Sequence, residues 1–385
     1  MVCYCTSTSR NELSLYVHVP FCSRKCIYCD FPSVVSADFS PYFEAVHKEL
    51  KLRKHMFEGK SIVSVYFGGG TPSRVPACYL ADILERTSRI VPFSSNVEIT
   101  VEMNPEDVER NLLIEYREMG VNRVSIGLQT AEDEILSLLG RPHDLATFLK
   151  AFQLVHSFFD NVNVDFMIGL PNETGETVEK NLEVVRILHS EHVSVYLLEE
   201  DEGTPLMDLV KRGMISLPSE EETVLHYTTM VEGLHEQGYR RYEISNWTIS
   251  RPCLHNVRYW LNLDYIGLGI GAGGHVGNYR YVNVRDIKKY VESLSRGELP
   301  EEYGKQNDAH TELKETFFMC LRLMEGCNLK VLEERFGEAV WKMARSLMKK
   351  APDLFLLDGD RFKLSDTGIL HSMHAMELLV NEEDK

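Results

Sequence analysis

Three thiols lie on one short stretch of this chain, Cys22-Ser23-Arg24-Lys25-Cys26-Ile27-Tyr28-Cys29-Asp30-Phe31. The stretch follows an alternating run, Leu13 to Val19, whose pattern predicts a β-strand. Three thiolates can each bind one iron of a cubane [4Fe–4S] cluster and leave the fourth iron without a protein ligand. An iron with that open position can bind a small molecule and exchange an electron with it. Cys22, Cys26 and Cys29 are therefore candidate ligands of an iron–sulfur cluster.

Two other interpretations of the three thiols stay open at this point. A zinc site needs four ligands and usually takes them from two paired elements, and no second pair stands out, although His18 is close in sequence. Three unrelated buried cysteines are the other alternative, but buried cysteine is normally dispersed through a core. The cluster is the interpretation that the spacing favours.

Length, charge and cysteine usage limit the class of protein. A chain of 385 residues suggests two or three domains, or one α/β barrel with an attachment. No apolar run is long enough for a transmembrane helix, and Met1 to Asn11 lacks the apolar core of a signal peptide. Nine cysteines, three of them clustered, indicate a reducing cytoplasm, with a peripheral membrane contact left open. The net charge of −17 argues against a nucleic-acid partner.

Strand-like and amphipathic segments alternate along the first two thirds of the chain. Candidate strands are 13–19, 61–67, 97–103, 121–128, 162–168 and 193–198, and candidate helices are 41–57, 78–90, 106–119, 131–139 with 145–156, and 176–188. Repeated strand–helix units imply a parallel sheet with right-handed crossovers. Six such units predict an α/β fold, a partial (β/α)6 barrel.

The remaining segments predict a division into four parts. Residues 1–12, with Cys3 and Cys5, are predicted to form a loose arm, and residues 13–240 are predicted to form the barrel. Residues 241–304 extend the barrel, and 305–385 form a small helical domain with one hairpin, 354–357 and 361–364. Helices with one hairpin resemble a winged helix, but the acidity of the chain argues against DNA binding.

Each predicted barrel strand has one polar face. In a parallel sheet that is buried on both sides, the strand sequences would be continuously apolar. Glu102 and Gln129 lie at the carboxyl ends of their strands, and Asp165 lies on the polar face of the fifth. We expect this face to line a wet lumen that holds a polar cofactor. The turn after strand two, Gly68-Gly69-Gly70-Thr71-Pro72, falls at the end of the barrel where such folds bind ligands.

Seven segments together resemble the HemN/HemW group of radical S-adenosylmethionine (SAM) proteins. They are 16–22, the thiol loop, 68–73, 102–105, 122–129, 165–171 and 242–246. The resemblance runs from about Leu13 to the C-terminus. It implies that Cys22, Cys26 and Cys29 ligate a [4Fe–4S] cluster whose open iron binds SAM. It also implies that SAM is lined by Tyr16, Tyr28, Gly69, Gly70, Thr71, Glu102, Gln129, Arg141 and Asp165.

Two branches of this group differ at recognisable positions. Oxygen-independent coproporphyrinogen III dehydrogenases, which decarboxylate propionates, carry a fourth cysteine two residues after the third, and here that residue is Phe31. The HemW-type haem chaperones instead show a His-Asn-x-x-Tyr-Trp motif, and this chain has His255-Asn256-Val257-Arg258-Tyr259-Trp260. The resemblance is therefore closer to the haem chaperones. It implies haem as cargo and a haemoprotein as recipient, and it leaves open a homodimer and whether the chain is also an enzyme.

The chemistry of that motif suits haem. A neutral imidazole such as His255 is a good axial ligand, with Cys253 as a softer alternative. Tyr259 and Trp260 could stack on a flat macrocycle. The alternative is that His255 and Asn256 are hydrogen-bonded structural groups and that the aromatic residues belong to the core.

Overall fold

A parallel β-sheet forms the centre of the computed structural model, which describes residues 11–380. Six parallel strands follow one another in order, each joined to the next by helical segments. The strands are β1 (Glu12–Val19), β2 (Ser61–Gly69), β3 (Phe93–Met103), β4 (Arg123–Gln129), β5 (Val162–Ile168) and β6 (His192–Leu197). The helices between them are α1 (Ser40–Leu52), α2 (Ala77–Ser88), α3 (Arg110–Glu118), α4 (Asp133–Leu138), α5 (Leu145–His156) and α6 (Gly175–Leu188). The predicted partial barrel of six β/α units is confirmed, whereas positions 1–10 of the predicted arm lie outside the described residues.

Further strands extend both edges of this sheet to twelve strands in all among the described residues. On one side β8 (Asn246–Thr248) pairs with β6, and β7 (Arg240–Glu243) follows it. On the other side β9 (Tyr265–Leu268) pairs in parallel with β1, and β10 (Gly273–Val276), β11 (Tyr279–Asn283) and β12 (Glu301–Gln306) follow it in antiparallel order. The helices of this region are α7 (Pro205–Lys211), α8 (Glu220–Glu236), α9 (Leu254–Trp260) and α10 (Ile287–Ser295).

The glycine-rich run 267–274 serves this packing. A Cβ on Gly267 would lie 2.0 Å from the carbonyl oxygen of Gly273, and one on Gly269 would lie 2.3 Å from the Tyr42 hydroxyl. The Tyr42 hydroxyl donates to the carbonyl of His18 at 2.7 Å. Only glycine permits the backbone to approach these atoms so closely, and in this way the run packs against strand β1.

The last part of the described chain has a hydrophobic core of its own, drawn from residues 313–379. Its helices are α11 (Ala309–Cys320), α12 (Leu329–Phe336), α13 (Ala339–Lys350), α14 (Asp366–Leu370) and α15 (Ser372–Val380), and β13 (Cys327–Asn328), β14 (Phe355–Asp358) and β15 (Arg361–Leu364) form a second sheet. Ile244 and Leu261 of the larger region pack against this core. The predicted helical part with its hairpin is present, with the first hairpin strand at Phe355–Asp358, and the winged-helix likeness stays a prediction.

The hydrophobic core of the larger region lies between the sheet and its surrounding helices. Alternate residues of β1, namely Leu13, Leu15, Val17 and Val19, are fully buried in that core. The opposite, polar faces of the strands point into the lumen and hydrogen-bond to one another across neighbouring strands. None of the helices described between residues 11 and 380 combines the length and apolar character needed to span a bilayer.

Candidate functional site

The loop between β1 and α1 carries the three clustered thiols at the carboxyl ends of the strands. Neighbouring segments fix its backbone. The amide of Cys22 donates to the carbonyl of Val34 at 3.0 Å, and the amide of Ile27 donates to that of Leu139 at 3.1 Å. The amide of Leu206 donates to the carbonyl of Ile27 at 2.9 Å. All three thiols are free and half-buried.

Two of the thiols accept hydrogen bonds from other elements. The Thr71 hydroxyl lies 3.5 Å from the Sγ of Cys22, and Nη1 of Arg141 lies 3.9 Å from the Sγ of Cys26. Burial raises the pKa of the Cys22 and Cys29 thiols. A buried thiolate needs hydrogen-bond donors or a bound metal to be stable, and these donors suit an iron–sulfur cluster.

The geometry also bears on the zinc alternative. Among residues 11–380, no three His, Cys, Asp or Glu side chains converge closely enough to hold a single metal ion. Each thiolate of a cubane cluster binds a different iron, so a cluster does not require the thiols to meet at one point. Ligation of a cluster by these thiols stays a prediction.

The Gly68–Gly70 turn ends β2 beside the thiol loop. The amide of Gly69 donates to Oε2 of Glu102 at 3.0 Å, and the Tyr66 hydroxyl donates to Oε1 at 2.8 Å. A Cβ on Gly69 would lie 2.3 Å from the His18 ring, and one on Gly70 would lie 2.8 Å from the backbone of Pro20. Burial and the nearby Asp165 raise the pKa of Glu102 to about 7. A carboxyl group is thus held at the carboxyl end of the lumen, next to the glycine turn.

Asp165 lies on the polar face of β5, in the same lumen. It accepts hydrogen bonds from the Ser125 hydroxyl at 3.0 Å and from the Asn163 amide at 2.7 Å. Burial raises its pKa. Gln129 ends β4 with a left-handed backbone, at φ +76°, and a Cβ on Gly127 would lie 2.7 Å from its side-chain amide. The alternation of the strands predicts the inward orientation of these polar groups.

The two tyrosines implied by the resemblance have different neighbours. The Tyr16 hydroxyl is 3.1 Å from Nδ1 of His18, whose Nε2 is 2.8 Å from the carbonyl oxygen of Pro32. Tyr28 packs against a small apolar cluster that includes Leu139 and Leu170. Both rings support the loop that carries the thiols.

Helix α9, which carries the predicted His-Asn-x-x-Tyr-Trp motif, lies under the amino end of the lumen. The carboxylate of Glu98 accepts from the amides of Leu254 and His255, at 3.0 and 3.1 Å. Arg258 donates through Nε to the Ser14 hydroxyl at 2.9 Å. The lower part of the polar strand face is therefore filled by hydrogen-bonded side chains.

His255 lies at this floor, far from the thiols. Its side chain contacts Ser64, five residues before Gly69 on β2, which is a separation of about 16 Å along the strand. Only 1% of the residue is exposed. Burial lowers the pKa of His255 to about 3, and the positive charges of Arg258 and Arg123 add to this effect. Nδ1 is 3.0 Å from the Ser64 hydroxyl, and Nε2 has no hydrogen-bond partner among the described residues.

Among the described residues, each of the other groups considered for haem contacts a neighbouring side chain. Cys253 is buried against Glu98, and burial raises the pKa of its thiol to about 12. The Tyr259 ring packs on Tyr265, with 4.1 Å between centroids. The guanidinium of Arg322 lies 4.4 Å above the Trp260 ring. His255 is thus the one member of this group whose metal-binding atom is left unpaired.

Sequence reasoning did not assign roles to three further residues of this arrangement. The Tyr66 hydroxyl donates to Glu102, and the His18 ring is hydrogen-bonded to Tyr16. The Asn104 side chain donates to Thr71 at 3.0 Å and accepts from Arg141 at 2.9 Å. Tyr66 and His18 lie on polar strand faces, which alternation does detect. Asn104 follows the end of β3, and its partners come from two other segments that no local pattern connects.

Comparison with known proteins defines the class of this fold and site. Residues 16–185 match the model of the radical SAM superfamily, and residues 307–371 match that of the HemN C-terminal domain. In fold, the chain is similar to coproporphyrinogen III oxidase (HemN) of Escherichia coli, a radical SAM enzyme, with a TM-score of 0.83 and 20% identity over 96% of this chain and 90% of that one. The fold is that of a radical SAM protein, and this class implies a [4Fe–4S] cluster and SAM as cofactors.

Curated relatives define the family within that class. The heme chaperone HemW of Mycobacterium tuberculosis is 31% identical over 94% of this chain and 93% of its own length. The heme chaperone HemW of Bacillus subtilis is 29% identical over 96% and 95%. A mitochondrial radical S-adenosyl methionine domain-containing protein 1 of Danio rerio is 31% identical over 96% and 85%. The chain belongs to the HemW family of radical SAM proteins.

Proposed function

We propose that this chain is a haem chaperone that carries a [4Fe–4S] cluster and SAM, binds haem, and delivers it to a recipient haemoprotein. Cys22, Cys26 and Cys29 ligate the cluster. SAM binds in the upper lumen, between the glycine turn and the carboxylates of Glu102 and Asp165. We further propose a cytoplasmic location for this transfer, with a membrane-associated recipient or a homodimer as arrangements to be tested.

Three observations support the cluster and SAM sites. The three half-buried thiols lie on one loop at the carboxyl ends of the strands, and donors from Thr71 and Arg141 reach two of them. Glu102 and Asp165 supply acceptors for an ammonium group or ribose hydroxyls. The Gly69 turn lets the backbone approach a ligand because no side chain fits there. When bound, the cluster supplies an electron to the sulfonium of SAM, and this chain's residues hold SAM and exclude water.

One observation carries the haem part of the proposal, the unpaired Nε2 of His255. The Ser64 hydroxyl donates to the Ser14 hydroxyl at 2.8 Å, so Ser64 accepts the proton carried by Nδ1 of His255. A pKa of about 3 keeps the ring neutral. A neutral imidazole with a hydrogen-bonded Nδ1–H and a free Nε2 is the state that a haem iron requires. His255 is buried, so haem binding requires Nε2 to become accessible.

The alternative function is oxidative decarboxylation of coproporphyrinogen III. The likeness to HemN at 20% identity concerns the fold alone. Phe31 occupies the position of the fourth cysteine that the dehydrogenases carry, and 60% of it is exposed. The names of relatives that match nearly the whole chain at about 30% identity favour the chaperone.

Anaerobic reconstitution followed by two assays tests the proposal. Haem titration should give a saturable spectrum of an imidazole-ligated iron. Incubation with SAM, a reductant and coproporphyrinogen III should leave all four propionates of the substrate in place. Loss of two carboxylates from the porphyrinogen would instead establish the alternative function.

A further inference from the structure

A directional chain of hydrogen bonds joins two of the clustered thiols. Nη2 of Arg141 donates to Oδ1 of Asn104 at 2.9 Å, and Nδ2 of Asn104 donates to Oγ1 of Thr71 at 3.0 Å. The Thr71 hydroxyl lies 3.5 Å from the Sγ of Cys22. The same guanidinium reaches the Sγ of Cys26 through Nη1, at 3.9 Å. Asn104 is the central member of this chain.

The polarity of the chain follows from the chemistry of its first member. A guanidinium has donors only, so the Asn104 atom that faces Arg141 is the carbonyl oxygen. The amide group of Asn104 must then face Thr71 and donate to its oxygen. Because that oxygen accepts from Asn104, the Thr71 hydroxyl hydrogen is left for the Cys22 sulfur.

We propose that Asn104 is a positioning residue that sets the reduction potential of the cluster by directing donors onto the Cys22 and Cys26 sulfurs. The inference rests on the proposed ligation of a cluster by these thiols. Hydrogen bonds to the sulfurs and nearby positive charge stabilise the reduced, more negative cluster and raise its potential. Asn104 therefore acts at both thiols through Thr71 and Arg141, without contact to either sulfur.

The location of Asn104 suits this role. It lies just beyond the end of β3, where the backbone turns into Pro105–Asp107. Its own amide donates to the Ser73 hydroxyl at 3.1 Å, so the residue is held at its backbone as well as its side chain. Arg141 also donates to the carbonyl of Gly127 at 3.2 Å. The bonds to Ser73 and Gly127 thus hold the Asn104 and Arg141 donors in place beside the thiol loop.

Asn104→Asp tests the direction of the chain with almost no change in shape. Aspartate still accepts from Arg141 but cannot donate to Thr71, so the hydroxyl should turn from Cys22 to the new carboxylate. We expect a potentiometric titration of the reconstituted protein, followed by electron paramagnetic resonance (EPR) spectroscopy, to give a more negative midpoint. The added charge alone would also lower the potential, so the same substitution is repeated in a Thr71→Val background. There the shift should be smaller, because no hydroxyl remains to turn.

Matched variants keep the test decisive. Thr71→Ser should retain the wild-type reduction potential, and Thr71→Val should lower it. Because both variants keep Asn104, they still test the hydrogen-bond chain if Asn104→Asp does not bind the cluster. Asn122→Asp is the control for an Asn-to-Asp change at a partly buried position, because among the described residues the Asn122 side chain bonds to the backbone of Val97 and Ile99 and not to the thiol loop. Equal shifts of Asn104→Asp in both backgrounds, or equal potentials for Thr71→Ser and Thr71→Val, would overturn the inference. Wild-type protein that binds no cluster would refute the proposed ligands instead.

Discussion

The Ser64 hydroxyl lies 3.0 Å from Nδ1 of His255 and decides which nitrogen of that ring is free. Ser64 gives its own hydrogen to Ser14 at 2.8 Å, and Ser14 also accepts from Nε of Arg258 at 2.9 Å. His255 must therefore donate from Nδ1, which leaves a lone pair on Nε2. The hydroxyl groups of Ser14 and Ser64 thus leave Nε2 free, as the proposed haem ligation needs.

His255→Ala should weaken haem binding strongly, because it removes the proposed axial ligand. Ser64→Ala should weaken it less, since Nε2 remains but the ring loses the bond that fixes its tautomer and orientation. Loss of the hydrogen bond that orients a metal-binding histidine typically costs about 10- to 100-fold in affinity. Anaerobic haem titration followed by absorbance measures both effects. The exposed His156 serves as the control position, and a His255→Ala spectrum identical to wild type would assign the ligand elsewhere.

Replacing Cys22, Cys26 and Cys29 together by Ala should abolish the brown colour and the broad cluster absorption, because all proposed protein ligands are lost. Iron and acid-labile sulfide are measured per chain after reconstitution. Cys78→Ala is the matched control, since Cys78 is an exposed free thiol on α2. Full iron and sulfide in the triple variant would refute the assignment of the ligands.

Gly69→Ala should destabilise the protein and block SAM. Gly69 has φ +112°, and a Cβ there would lie 2.3 Å from the His18 ring. Gly277→Ala is the control for backbone strain alone, because Gly277 has φ +69° and nothing within 4 Å of an added Cβ. We expect Gly69→Ala to lower the free energy of unfolding by about 1–3 kcal/mol more than Gly277→Ala. Equal losses in urea denaturation would show that the close packing has no energetic role.

Glu102 should make stability depend on pH. Its pKa is raised from 4.5 to about 7, so the folded protein holds a proton that the unfolded chain releases between these values. The contribution of Glu102 to stability is therefore present below about pH 4.5 and is lost as the pH rises through about 7. Relative to Glu102→Gln, the wild type should lose about 1–3 kcal/mol of unfolding free energy between pH 4.5 and 8. A constant difference between the two proteins over this range would contradict the raised pKa.

The sequence predicts the barrel well because its strands repeat one simple pattern. The bounds of β5 match the prediction, 162–168, and the alternation of polar and apolar residues is enough to identify Glu102 and Asp165 as inward-facing. Strand β3 begins at Phe93, four residues before the predicted Val97. Its first residue, Phe93, pairs with Ile62 across an irregularity, and the polar residues Ser94 to Asn96 that follow carry no strong strand signal.

Other features depend on contacts that no local pattern records. The extension of the sheet from six strands to twelve depends on β9 and β8 pairing with the two edges of the barrel. The motif at 255–260 suggests a haem surface, but its aromatic rings pack on Tyr265 and Arg322 inside the protein. The role of Asn104 depends on partners 33 and 37 residues away in sequence. Tertiary packing decides these features, so they are visible only in the folded chain.

In the proposed cluster, one iron of the three-thiolate site is left open towards SAM in the lumen. EPR spectroscopy of the reduced, reconstituted protein, recorded before and after SAM is added, measures this opening most directly. We expect one [4Fe–4S] signal whose g-values change on addition of SAM in the wild type and change much less in Gly69→Ala. A wild-type cluster signal that SAM leaves unaltered would show that no iron is open to SAM.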